Sequence, residues 1–195
     1  NNPCQARGGY LPCGIGWYRK EFTLPSSAKG KKVLIEFDGV YMNSEVWCNG
    51  RFCGRRPYGY SSFCYDLTPY VKAGEPATIA VRVDNSRQKN SRWYSGSGIY
   101  RHVWLTLAGP VRVDHWGTRV TTPEVSAEKA IVACDVTVVG GEEEDPLTIA
   151  AMIMDNEGRE VAIAQRSCSP IPLDVHAPKL WSPETPHLYT LRVEL

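Results

Sequence analysis

The stretch Arg92-Trp93-Tyr94-Ser95-Gly96-Ser97-Gly98-Ile99-Tyr100-Arg101 packs aromatics, arginines and glycines into ten residues. An arginine offers a fixed fork of donors that can hold a carboxylate. Trp and Tyr offer flat apolar faces with a polar handle, and glycine lets the backbone turn tightly beside them. Just upstream, Val81-Arg82-Val83-Asp84-Asn85-Ser86 carries a strand end into polar residues. With Ile79, Val81 and Val83 facing inward, Asp84 falls on the opposite face. A carboxylate there either caps the loop through nearby backbone amides or accepts ligand hydroxyls in charge-assisted bonds. Trp93 either stacks on a flat ligand or fills the space that its neighbouring glycines leave. Asp84, Asn85, Arg92 and Trp93 are the candidate binding residues, against a plainer reading of the stretch as a packed sandwich corner.

The elements that would position them are short strands. Trp17 to Leu24 alternates and is closed by Pro25-Ser26-Ser27. Lys32 to Asp38 alternates with Val33, Ile35 and Phe37 on one face. Glu45 to Cys48 and Arg51 to Cys53 flank Asn49-Gly50, the strongest two-residue hairpin signal. Ser62 to Leu67, Thr78 to Val83 and Val103 to Leu107 follow. A seam at Ala108-Gly109-Pro110 separates a second run: Val111 to Val113, Val132 to Val138, Leu147 to Ile153, Val161 to Ile163, and Tyr189 to Leu195. The pattern predicts an all-β chain of two sandwiches, residues 1–109 and 110–195, the second with about six strands. Glu142 to Asp145 reads as a solvated acidic loop.

Composition excludes several classes. Twenty-two basic residues nearly balance 21 acidic ones, for a net charge of +1. That argues against nucleic acid or an anionic membrane surface as partner. No apolar run approaches the length of a membrane-spanning helix. Seven cysteines (Cys4, Cys13, Cys48, Cys53, Cys64, Cys134, Cys168) and four scattered histidines show no paired metal-ligand spacing, so neither metal nor cofactor is expected. Cys48 and Cys53 across the Asn49-Gly50 turn could form a disulfide; free thiols are the expectation.

Several motifs carry a family resemblance. Gly14-Ile15-Gly16-Trp17-Tyr18-Arg19-Lys20 resembles the opening strand of the sugar-binding domain of family 2 glycoside hydrolases. Phe37-Asp38-Gly39-Val40, the Val46 to Gly50 hairpin and Tyr60 to Pro69 follow the same pattern. Val83 to Ser86 with Arg92 to Arg101 is the most specific part, and it is most similar to the β-galactosidase-type branch. Leu180 to Tyr189 resembles the end of that family's immunoglobulin-like second domain. The resemblance implies a galactose-binding-like jelly roll, then an immunoglobulin-like sandwich, then a catalytic TIM barrel; about six strands after Pro110, against the usual seven, predict that the second sandwich lacks its last strand.

The resemblance further implies that both catalytic carboxylates lie on that barrel, so no catalytic residue is expected in this chain. Retaining hydrolysis needs two carboxyls about 5–5.5 Å apart, and the one Asn-Glu pair, Asn156-Glu157, reads as a hairpin tip. Asp84 is the acidic residue that the galactosidase-like branch would aim at the sugar; Arg92 and Arg101 would orient carboxylates or bridge to the barrel. The expected role is that of a non-catalytic part of a β-galactosidase-like enzyme that hydrolyses O-glycosyl bonds, with a carbohydrate substrate and an open option of homo-oligomers. A free-standing carbohydrate-binding module and an adhesive sandwich pair are the alternatives. The compartment is unassigned, with periplasm or extracellular space favoured over cytoplasm.

Overall fold

The computed structural model describes residues 14–87, 96–141 and 147–195, and the chain divides into two compact units, Asn1–Gly109 and Pro110–Leu195. The chain is all-β: a jelly-roll sandwich, then an immunoglobulin-like one. The first unit contains β1 (Ile15–Thr23), β2 (Lys32–Phe37), β3 (Val40–Tyr41), β4 (Ser44–Cys48), β5 (Arg51–Arg56), β6 (Phe63–Asp66), β7 (Pro76–Asp84), β8 (Gly98–Ile99) and β9 (Val103–Ala108). One sheet runs β1-β7-β4-β5, a second β6-β2-β9, and β3 pairs with β8.

Alternation places the core. Val33, Ile35 and Phe37 of β2 pack with Val46 and Cys48 of β4 and with Ile79, Val81 and Val83 of β7. Phe37 and Phe63 stack with centroids 5.0 Å apart. At the β4–β5 hairpin, Asn49 and Gly50 both take positive φ, at 48° and 75°, the conformation whose twist matches the flanking strands. Asn49 also binds outward: its Nδ2 donates to the Tyr70 carbonyl, and its Oδ1 accepts from the Thr78 amide, each at 2.8 Å. The turn is therefore fastened to β7.

The register β1–β7–β4–β5 puts Trp17 opposite Arg82, Trp47 opposite Ala80, and Phe52 opposite Trp47. Small Ala80 leaves room for the rings beside it. Trp17 and Trp47 stand 5.4 Å apart, and Trp47 and Phe52 5.5 Å apart, on the face away from the core.

The second unit contains β10 (Arg112–Val125), β11 (Lys129–Val139), β12 (Ile149–Met154), β13 (Glu160–Arg166), β14 (Ile171–His176) and β15 (Thr190–Glu194). They form two sheets, β10-β11-β14 and β13-β12-β15. Cys134, Val136, Ile149, Ala151, Ile153, Ile171, Leu173 and Val175 fill the space between. Two elements differ from the sequence expectation. β10 is far longer than Val111 to Val113, continuing through two register shifts against β11. β14 was not expected at all. It is interrupted by Pro172, but it lies at the sheet edge, where a strand proline is tolerated.

β15 is bonded to β12 on one side and forms the other edge of its sheet. Near it lies an apolar groove of about 370 Å³, lined in part by Val120, Val132, Leu180, Trp181, Tyr189 and Leu191.

Candidate functional site

β7 delivers Asp84 and Asn85 to one end of the first sandwich. Three backbone bonds fix the corner: the Asp84 amide to the Met42 carbonyl at 3.0 Å, the Asn85 amide to the Gly14 carbonyl at 2.9 Å, and the Asn43 amide to the Pro57 carbonyl at 3.0 Å. Asn43 adopts φ 48°, a left-handed conformation that asparagine tolerates better than most residues. Its Nδ2 donates to the Asp84 carbonyl at 3.0 Å.

The Asp84 carboxylate is held from two sides. Oδ1 accepts from the Ser86 hydroxyl at 2.6 Å and the Ser86 amide at 3.0 Å, and Oδ2 accepts from Arg82 Nη2 at 2.8 Å. The Ser86 hydroxyl and amide first, then Arg82, hold the Asp84 carboxyl below its ordinary value against a smaller opposing effect of burial. Arg82 in turn spans to Glu45 Oε2 at 3.2 Å. The loop-capping contacts foreseen for Asp84 are present. They use both acceptor positions of Oδ1 for the cap and one of Oδ2 for Arg82, which leaves Oδ2 able to accept one further hydrogen bond.

Asn85 is 1% exposed. Its Nδ2 donates to the Ser97 hydroxyl at 2.8 Å, while its Oδ1 has no partner among the described residues. Ser97 leads into Gly98, which takes φ 117°, and a side chain there would run into the Tyr18 hydroxyl. Asp84, Asn85, Ser97 and Gly98 thus come together at one corner. Arg92 and Trp93 lie outside the described residues.

The same end carries a group that sequence reading did not single out as a site. Tyr60 lies 5.1 Å from Tyr41, 5.8 Å from Tyr58 and 6.4 Å from Tyr100, centroid to centroid. These four are spread from residue 41 to residue 100, and no local spacing joins them. The one available signal was two glycines, Gly39 and Gly59, which seat the rings: a side chain on Gly39 would overlap Tyr100, and one on Gly59 would overlap Tyr41.

Elsewhere, Glu157 sits in a turn. The Asp155 carboxylate accepts from the Glu157 and Arg159 amides at 2.9 Å, and Arg159 pairs with Glu157 at 2.9 Å. Among the described residues no three His, Cys, Asp or Glu side chains gather as metal ligands. Cys48, Cys53, Cys134 and Cys168 are free thiols; Cys4 and Cys13 lie outside the described residues.

Residues 10–109 match the sugar-binding domain of glycosyl hydrolases family 2, and residues 111–195 match a second domain of that family. The chain belongs to glycosyl hydrolases family 2. It is 50% identical to the β-galactosidase BoGH2A of Bacteroides ovatus, over 97% of this chain and 24% of that protein. It is 31% identical to a β-glucuronidase of Formosa agariphila, over 90% of this chain and 21% of that one. The crystal structure of a β-glycosidase from Bacteroides vulgatus superposes with a TM-score of 0.89 at 40% identity, covering 96% of this chain and 24% of its own. The chain therefore spans about a quarter of the length of these relatives, and it matches their N-terminal region.

Proposed function

We propose that this chain works as the N-terminal, non-catalytic part of a β-galactosidase-like enzyme that hydrolyses O-glycosyl bonds. The observation that carries the reading is the unbroken match of two successive family domains, together spanning only a quarter of each relative. The first unit forms one wall of the sugar pocket through Asp84 and Asn85, and Trp93 and Arg92 are further candidates for sugar contact. The catalytic carboxylates belong to a barrel outside these residues. The partners are the carbohydrate substrate and that barrel, with no nucleic acid and no membrane among them.

The Asp84–Arg82 pair fits this role. A carboxylate whose charge is fixed by Ser86 and Arg82 stays ionised and pre-oriented, so a sugar hydroxyl meets an acceptor already in place. Asp84→Asn keeps the shape and loses the charge. In the full-length enzyme it is expected to cost about 1.5–3 kcal/mol, roughly 10- to 150-fold in kcat/KM. An unchanged kcat/KM removes Asp84 from the sugar site, and a loss that tracks a lowered melting temperature assigns it to the loop cap alone. The 195-residue chain by itself is expected not to hydrolyse aryl glycosides. Turnover abolished by Glu157→Gln would overturn the non-catalytic assignment.

The same reading applies to the second unit. The outer edge of β15 and the adjoining apolar groove are the seat for a further strand of the immunoglobulin-like sandwich, which seven-stranded relatives of this architecture possess.

A further inference from the structure

Tyr58, Tyr60 and Tyr100 are 62%, 63% and 49% exposed. Their exposure is built in. The Tyr100 phenol donates to the Gly59 carbonyl at 2.8 Å, its amide donates to the Gly39 carbonyl at 3.2 Å, and Tyr41 pairs with Gly98 across β3 and β8. Gly39 and Gly59 leave no space for a side chain beneath the rings. Tyr60 therefore stands among three other phenols on a fixed base. Although the ring is largely exposed, the loss of some water around the phenol first, then the nearness of the Tyr41, Tyr100 and Tyr58 phenols, raise the Tyr60 phenol above its ordinary value. Next in the chain, the Ser61 hydroxyl oxygen is buried with no partner among the described residues, a condition that native proteins seldom leave unanswered.

This surface has the chemistry of a sugar ring's complement. A pyranose presents an apolar C–H face and a rim of hydroxyls; tyrosines present flat apolar faces and hydroxyls that both donate and accept. The four side chains carry no formal charge at neutral pH, so a charged peptide gains little from them. The cluster is also joined to the proposed sugar wall. Tyr41 is followed by Met42, whose carbonyl takes the Asp84 amide, and by Asn43, whose side chain donates to the Asp84 carbonyl.

We propose that Tyr58, Tyr60 and Tyr100 form a stacking subsite for a second pyranose ring, beside the ring met by Asp84. The inference rests on the reading of the first unit as a substrate wall and deepens it: the substrate class is an oligosaccharide, and the tyrosines recognise the sugar attached to the one being released.

The test is a nuclear magnetic resonance titration of the 195-residue chain, following tyrosine ring signals with lactose and with galactose at millimolar concentration. Lactose is expected to shift the Tyr58 and Tyr60 signals, and galactose to shift them far less. Tyr60→Ala is expected to weaken lactose binding by about 2- to 12-fold, the range for one aromatic contact, while Tyr60→Phe keeps most of it. Should Tyr60→Ala fail to fold, Tyr58→Ala, at a more peripheral ring, carries the same comparison. Lactose shifts confined to the surroundings of Asp84 leave the wall in place and overturn the tyrosine subsite. Equal shifts by the two sugars, or no shift by either, also overturn it. The Asp84→Asn kinetics judge the wall separately.

Discussion

Asp84 holds its charge through Ser86 before anything else, and that has a consequence for acid stability. Its folded-state carboxyl lies below the ordinary value, so the unfolded chain binds the proton more readily. The contribution to stability is complete above about pH 5 and is lost as pH falls through the carboxylate range. Asp66 acts in the same direction: burial opposes its charge, but the Thr68 hydroxyl and amide and the Lys32 ammonium outweigh that burial. The melting temperature is expected to fall between pH 5 and pH 3, and by less in Asp84→Asn than in the parent chain. Thiols divide by environment. Burial, with Cys53 nearby, pushes the Cys48 thiol up to about 11, and burial also raises Cys134. Cys168 is exposed. Native-state labelling with a thiol reagent at pH 7.5 is expected to modify Cys168 well before Cys48 and Cys134, because the thiolate is the reactive form. At this scale the sequence was a partial guide. The alternation of Ile79, Val81 and Val83 placed Asp84 on the outer face, but its sharing between Ser86 and Arg82 depends on rotamers that no alternation encodes.

Among the elements, legibility followed how local the signal was. The Asn49-Gly50 hairpin and the β7 alternation could be read directly, since turn chemistry and period-two burial are written in consecutive residues. β14 was hidden because Pro170 and Pro172 mimic a loop, although its burial alternates cleanly from Ile171 to Val175. The tyrosine cluster was hidden because the pairing of β3 with β8 brings distant segments together. Its dependence on Gly59 is testable: Gly59→Ala is expected to destabilise the first unit by about 1–3 kcal/mol through overpacking against Tyr41, read by chemical denaturation. β15 offers a second test. If a further strand seats on β15 as proposed, adding in trans a peptide with the sequence of that strand in a relative is expected to raise the melting temperature of the second unit by pairing its edge and covering the Leu180–Leu191 groove. An unchanged melting temperature would argue against a further strand there.

At the scale of the whole molecule, each unit has its own apolar centre, the first around Phe37, Phe63 and Val81, the second around Ile171 and Leu173. Leu173→Ala is expected to cost about 2–5 kcal/mol in the second unit, measured by calorimetry. Following each unit separately requires a signal that belongs to one of them, and the outer face of the first supplies it. Trp17 comes from β1 and Trp47 from β4, with β7 between them, and their indoles lie 5.4 Å apart at 32°. Two identical chromophores at that spacing share their excited states, and a tilted pair rotates polarised light with a paired positive and negative band. The chain thus carries its own optical gauge: that band pair is present only while β1 is seated on its sheet, and Trp17→Phe or Trp47→Phe alone should erase it.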